Sequence, residues 1–212
     1  MLFKKAIPAM AIALSLLACN NDNKGEKTGT ETTTEKQSTM KNDSNITENI
    51  VLVRTIAAPI ESVFKAWTDP TIVMRWWGPR SFTSPTCTID LSEGGKYIFS
   101  MQPPGNPQGK QAPPMYTSGV YTKITPNQYL EFGQHISDKD GNPIDPATLG
   151  MPADFPKEPI RTSISLESRG GITVMTVTEY DWKTGPMRDM SALGLGECLD
   201  KLVEYLLTGK TR

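Results

Sequence analysis

The chain has 212 residues, about 1.4 times the ~150-residue guide length of one domain, so a single domain with appendages fits better than two domains. Lys and Arg total 22 against 23 Asp and Glu, so no cationic excess is present to neutralise phosphates, and nucleic acid is not an expected partner. Hydrophobic residues at 37% and charged residues at 21% are lean for a uniformly globular chain, which places a polar stretch beside an ordinary domain.

The N-terminus reads as an address. Lys4 and Lys5 precede an apolar run from Ala6 to Ala18 that is too short to span a bilayer, the pattern of a secretory signal. A buried N-terminal helix is the competing reading, opposed by Pro8 and by the polar residues that follow. Leu16-Leu17-Ala18-Cys19 resembles the lipobox of bacterial lipoproteins, which implies cleavage before Cys19 and acylation of that residue. Several acyl chains anchor stably where one is marginal. Residues 1–18 are therefore expected to be the signal, with a lipid-anchored position in the bacterial cell envelope. Asn20 leans the assignment towards the outer membrane. Removing residues 1–18 takes away Lys4 and Lys5 and no acid, which leaves 20 basic against 23 acidic side chains, a net charge of −3.

Residues 20–48 hold only Met40 and Ile46 as sizeable apolar side chains, too few to offset the entropy of ordering the segment. Residues 19–48 are expected to be a disordered tether with an r.m.s. reach of roughly 30 Å. The folded domain is expected over 49–212.

The domain begins with the β-branched run Ile50 to Ile56, a strand that Pro59 ends. Val63, Phe64 and Trp67 lie at helical spacing before the Asp69-Pro70 break, and a second short helix spans Thr71 to Trp77. Strands are expected at 86–91, 97–102, 116–124, 129–136, 160–167 and 172–182, with turns at Gly94-Gly95, Pro126-Asn127 and Gly170-Gly171. Their connections are mostly too short for crossover helices, so the sheet is an antiparallel meander. Met187 to Leu207 forms the one long helix, with Leu199, Leu202, Val203 and Leu206 at helical spacing. Gly194 and Gly196 each cost roughly 1 kcal/mol inside a helix, which points to close approach of a backbone or ligand, or else to a kink.

Five segments carry a family resemblance: 54–59 (RTIAAP), 63–70 (VFKAWTDP), 75–79 (RWWGP), 90–95 (DLSEGG) and 199–202 (LDKL). In this order they resemble the domain related to the C-terminal part of the Hsp90 ATPase activator, within the START-like (SRPBCC) superfamily that includes Bet v 1-type proteins. The resemblance spans residues 49 to 209. It implies an α+β helix-grip fold, β-α-α-β6-α, with a curved antiparallel sheet around a long C-terminal helix and a hydrophobic cavity between them. Fold alone does not select among the carriers, hormone binders, cyclases and co-chaperones of that superfamily. Two departures stand out. Gly194-Leu195 occupies a place where many relatives have a tryptophan after the glycine, and Pro103 to Met115 is a proline-rich insertion, read as a surface loop in preference to a lid.

Strand parity nominates the cavity wall. Tyr97, Phe99 and Met101 share one face, Leu130 and Phe132 another, and Val174, Thr176, Thr178, Tyr180 and Trp182 a third. Trp76, Trp77 and Phe82 are placed to border an opening. The ligand-contacting set expected from the sequence is Trp76, Trp77, Phe82, Tyr97, Phe99, Met101, Phe132, Tyr180 and Trp182, with a filled core as the alternative. Arg54 shares parity with Leu52 and Ile56 and is read as an ion-paired structural residue.

Catalytic signals are thin. His135 is the sole histidine and shares parity with Glu131, hence a surface position. No nucleophile elbow, HExxH or paired-cysteine metal pattern occurs, and no catalytic residue, metal or cofactor is assigned. The segment from Asp138 to Asp145 departs from a calcium loop at two positions and reads as a turn. Cys87 and Cys198 are read as free thiols, with a disulfide as the alternative. Export separates the domain from cytosolic Hsp90. The expected function is therefore binding of a small hydrophobic or amphipathic ligand. Two alternatives remain: a cyclase- or hydrolase-type enzyme using Tyr97, Tyr180 or Glu131, and a protein-interaction module built on an apolar patch at Trp76 and Trp77.

Overall fold

The computed structural model describes residues 46–210, so the signal, Cys19 and most of the tether lie outside the described residues. Among the described residues no helix is long and apolar enough to cross a membrane.

Strand β1 (Thr47–Ile56) leads into helices α1 (Ile60–Thr68) and α2 (Pro70–Trp76). Six strands follow: β2 (Cys87–Ile89), β3 (Lys96–Met101), β4 (Met115–Thr125), β5 (Tyr129–Ser137), β6 (Ile160–Arg169) and β7 (Ile172–Lys183). Helix α3 (Pro186–Thr208) closes the chain. The strands form one antiparallel sheet in the order β1-β7-β6-β5-β4-β3-β2, which is the helix-grip arrangement expected from the motifs. The first strand starts at Thr47, ahead of the apolar run, because Thr47 and Glu48 pair with Lys183 and Trp182 at the end of β7. A 3-10 turn, Pro146–Leu149, interrupts the long β5–β6 connection.

The two short helices are joined by a single residue with two jobs. Asp69 ends α1, its N–H bonding to Lys65 O, and caps α2 by accepting from Thr71 N at 2.9 Å and Thr71 Oγ1 at 2.6 Å. The Thr71 hydroxyl, followed by the backbone bonds, holds its carboxyl below the ordinary 3.8. Pro70 supplies the preorganised first turn. Val63, Phe64, Ala66 and Trp67 then face the sheet, where Trp67 Nε1 reaches Met175 Sδ at 3.2 Å.

Helix α3 begins at Gly185-Pro186 and ends at Gly209, whose left-handed backbone lets its N–H return to Tyr205 O at 2.8 Å. Its buried side includes Leu195, Cys198, Leu199 and Leu202. Lys201 is buried too, and its ammonium donates to Gly78 O at 3.0 Å and Phe82 O at 2.9 Å, with Pro79 O at 3.5 Å. Three carbonyls thus replace the water this charge gives up, and they pin the turn after α2 to α3. Gly78 makes that turn possible at φ 98°, a backbone conformation disfavoured for side chains with a Cβ. Arg54 bonds Asp200 through Nε at 2.9 Å and Gly196 O at 3.2 Å, so it is the ion-paired structural residue that its parity pointed to. Gly196 therefore faces a guanidinium, and α3 runs on through it.

Candidate functional site

The inner face of the sheet is read most clearly along β7. Burial there alternates through Thr173, Met175, Val177 and Glu179, all inward, whereas Val174, Thr176, Thr178 and Tyr180 point outward. This reverses the parity expected from the sequence for the stretch before Asp181. At that residue the alternation breaks. Glu48 pairs with Trp182 but Ile50 pairs with Glu179, so Tyr180 and Asp181 together oppose Asn49 in a β-bulge. Asp181 adopts φ 59°, and its N–H bonds Asn49 Oδ1 at 3.2 Å. The extra residue turns Trp182 inward, onto the same face as Glu179.

Those two side chains are joined to a third. Trp182 Nε1 donates to Glu179 Oε2 at 3.0 Å, and Gln134 Nε2 on β5 donates to Oε1 at 2.7 Å. Glu179 is only 6% exposed. Burial pushes its carboxyl up to about 7, against the two hydrogen bonds that pull it down. Among the described residues it has no ion pair with a basic side chain.

Around this carboxyl lies a cavity of about 200 Å³ between the sheet and the N-terminal half of α3. The sheet contributes Met101, Thr117, Gln134, His135, Ile136, Ile160, Glu179 and Trp182. The turn after α2 contributes Trp77 and Pro79, and α3 contributes Ser191, Gly194, Leu195 and Cys198. The fourth wall is the β5–β6 connection, through Met151, Phe155 and Pro156. Phe155 stands edge-on to Trp182, with ring centres 6.0 Å apart at 90°. The insertion at Pro103 to Met115 supplies none of the lining and is a surface loop organised by Asn106 Oδ1, which accepts from Lys110 N at 2.9 Å. Two polar atoms of lining residues, Trp77 Nε1 and Thr117 Oγ1, are buried without a hydrogen-bond partner among the described residues. Nearby, the Tyr97 and Thr162 hydroxyls are in the same condition.

The nine residues nominated from sequence fall in four places. Trp77, Met101 and Trp182 line the cavity. Trp76, Tyr97, Phe99 and Phe132 are instead buried core: Tyr97 packs on Phe99 at 4.6 Å and Phe132 at 5.1 Å, and Trp76 Nε1 is taken by Ala66 O at 2.9 Å. Phe82 is half-buried beside the Lys201 turn, outside the lining. Tyr180 is the clearest correction. It lies on the outer face, with its hydroxyl 3.0 Å from Ser163 Oγ and the Arg161 guanidinium 3.7 Å over its ring.

The outer face also holds Glu131, which accepts from Tyr129 at 2.7 Å and sits 3.6 Å from Arg161. Glu131 and Tyr180 therefore do not converge with Tyr97 in the cavity. His135 Nε2 is 3.0 Å from Ser118 Oγ, and the one proton of that hydroxyl goes to Gly141 O, so the imidazole nitrogen is the donor. Such a serine is held to the backbone. Asp138 binds its own turn through Asn142 and Asp140 N–H groups at 2.9 Å each. Cys87 and Cys198 are free, and burial pushes both thiols up to about 12. Trp76 and Trp77 are 0% and 7% exposed, so they form no surface patch. Among the described residues no group of acids, histidines and cysteines is placed to hold a metal.

The sequence model described as "Activator of Hsp90 ATPase homolog 1-like protein" matches residues 57–207, which contain every lining residue. Solved structures match at the level of the fold. A protein from Staphylococcus epidermidis is 22% identical with a TM-score of 0.56, covering 82% of this chain and 96% of its own. One from Arthrobacter aurescens is 21% identical with a TM-score of 0.57, covering 78% and 92%. An AHSA1-like protein from Aeromonas hydrophila is 20% identical with a TM-score of 0.54, covering 76% and 94%. No curated protein matches the chain.

Proposed function

Taking as premise that the chain belongs to the family of Activator of Hsp90 ATPase homolog 1-like proteins, we propose that it binds a small amphipathic molecule in the cavity between its sheet and α3. One observation carries this reading: a largely apolar cavity whose lining includes the buried Glu179 carboxyl, and two lining residues, Trp77 and Thr117, whose buried polar atoms have no hydrogen-bond partner among the described residues. Leaving a buried donor unmade costs about 1–3 kcal/mol, and a ligand recovers it if Trp77 and Thr117 turn their polar atoms towards the cavity on binding. The volume, about 200 Å³, exceeds the ~150 Å³ that admits benzene and falls below most drug-sized sites, so the ligand is a substituted ring or a short chain. We place this binding protein in the bacterial envelope, held by acylated Cys19, because residues 16–19 resemble a lipobox.

Calorimetric titration of the full chain with benzyl alcohol tests the cavity. Saturable one-to-one binding is expected, and Leu195→Trp should abolish it by filling the space that Leu195 borders. Absence of saturable binding, or unchanged binding in the variant, overturns the reading. For the location, Cys19→Ser should shift the protein from the membrane to the soluble fraction of a bacterial host; a variant that stays membrane-bound rejects the anchor.

A further inference from the structure

The cavity has a chemical preference, and the argument for it rests on the binding function proposed above. Glu179 contributes the one carboxyl of the lining, and each of its oxygens accepts a single hydrogen bond, from Gln134 and from Trp182. An ionised carboxylate has about four lone-pair sites, so half its capacity remains. Three cations carried by or packed on α3 are engaged elsewhere, although Arg188 keeps its Nε without a hydrogen-bond partner among the described residues. Lys201 holds three carbonyls of the turn after α2, Arg54 holds Asp200, and Arg188 at the start of α3 holds Asn49 O at 2.9 Å and Glu48 at 3.3 Å. Burying a carboxylate without a cation is costly, and here no basic residue among those described pairs with it. The walls beside it are the rings of Trp77, Trp182 and Phe155, and an aromatic face attracts a positive charge. An anionic ligand would meet like charge in a site that gives up its water.

We propose that the ligand is a compact organic monocation, an amine on a ring-sized apolar body, whose ammonium group pairs with Glu179 while the body fills the space between Trp77, Phe155 and Leu195. The balance of the step is simple. Where Glu179 is protonated, an arriving ammonium displaces the carboxyl proton to solvent and keeps its own; where Glu179 is already ionised, no proton moves. Because burial leaves this carboxyl near 7, binding of the cation releases protons below neutrality and tightens as pH rises to 8. The other titratable groups facing it are Tyr97 on β3 and Cys198 on α3, both neutral across this range because burial raises them, and His135, whose ring is engaged with Ser118. A neutral acceptor ligand gives the opposite sign, since it favours the protonated carboxyl and takes protons up.

Three probes of one shape, benzylamine, benzyl alcohol and benzoate, separate the possibilities by calorimetry on the full chain at pH 6 and pH 8, in buffers of different ionisation enthalpy. At pH 8 benzylamine should bind about tenfold more tightly than benzyl alcohol, with benzoate weakest. At pH 6 the advantage should shrink to a few-fold, with proton release. Glu179→Gln should bring the amine to the level of the alcohol while the alcohol still binds; should that variant not fold, the pH and proton-release measurements on the unmodified chain decide alone. Alcohol or benzoate binding as tightly as the amine at pH 8, or proton uptake with the amine, overturns the charge preference and leaves the cavity reading standing. If none of the three binds, the cavity reading falls and the preference falls with it.

Discussion

Under one helix, the same concave sheet face is filled at one end and hollow at the other. At the filled end Trp67, Trp76 and Met175 interlock, with ring centres of the two tryptophans 4.7 Å apart, and each indole N–H has a partner. At the hollow end Trp77, next in sequence to Trp76, borders the cavity with its N–H unpaired, and Glu179 follows Met175 by two steps of the strand's inward face. Neighbouring residues of one type therefore do different work, and the state of their polar atoms tells them apart. The partnered indole is packing; the unpartnered one borders the cavity and is an element of recognition in the function proposed above. The filled end also depends on a close strand approach at Gly119, where an added Cβ would overlap Gly133 O and lie 2.9 Å from the Tyr97 ring paired across from it.

This contrast can be broken in three places. The largest effect is expected from Gly119→Ala, which should cost about 3 kcal/mol or more in urea denaturation, since the atom it strikes is backbone. A loss below 1 kcal/mol would show that the filled end has slack. Next comes the pH dependence of stability. The Glu179 carboxyl has an ordinary value of 4.5 and sits at about 7 in the folded chain, so the folded state holds its proton more tightly. Its contribution is largest below about pH 4.5, falls as pH rises through 7, and is about 3 kcal/mol lower above that. Glu179→Gln should flatten that window relative to the unmodified chain in urea midpoints measured from pH 5 to 8; parallel curves would mean the carboxyl is hydrated. The smallest effect separates the two tryptophans. Trp76→Phe should cost about 2 kcal/mol, because it opens a void and strands Ala66 O, whereas Trp77→Phe should cost about 1 kcal/mol or less while weakening benzyl alcohol binding. Equal losses would erase the distinction.

Much of the fold was legible. The Asp69-Pro70 break, the strand runs and the helical spacing of Leu199, Leu202 and Leu206 each leave a local signature, and local signatures survive in a single sequence. The site was less so. In β7 both faces carry β-branched or apolar residues, so parity counted from Trp182 across the bulge inverts the inward set and leaves Glu179 on the solvent side. A buried carboxyl looks like a surface residue until its partners are seen, and Gln134 and Trp182 become its partners only through strand register and the bulge at Asp181. Met151, Phe155 and Pro156 sit in a connection with no periodicity to betray them. The available hint was Glu179, the lone charge in 172–180, followed three positions later by tryptophan.

The bulge opposite Asn49 makes the site sensitive to counting as well as to chemistry. Substitutions along β7 change one contact at a time, but inserting a single residue beside Asn49 would set two residues of β1 against Tyr180 and Asp181, restore strict alternation and rotate Trp182 to the outside, taking away a wall and a hydrogen-bond donor together. The strand before it would keep its pairing with β6. A one-residue change in the length of β1 relative to β7 would thus remodel the cavity while sparing the scaffold, which makes that difference in length, more than composition, the character to compare among proteins that share the fold.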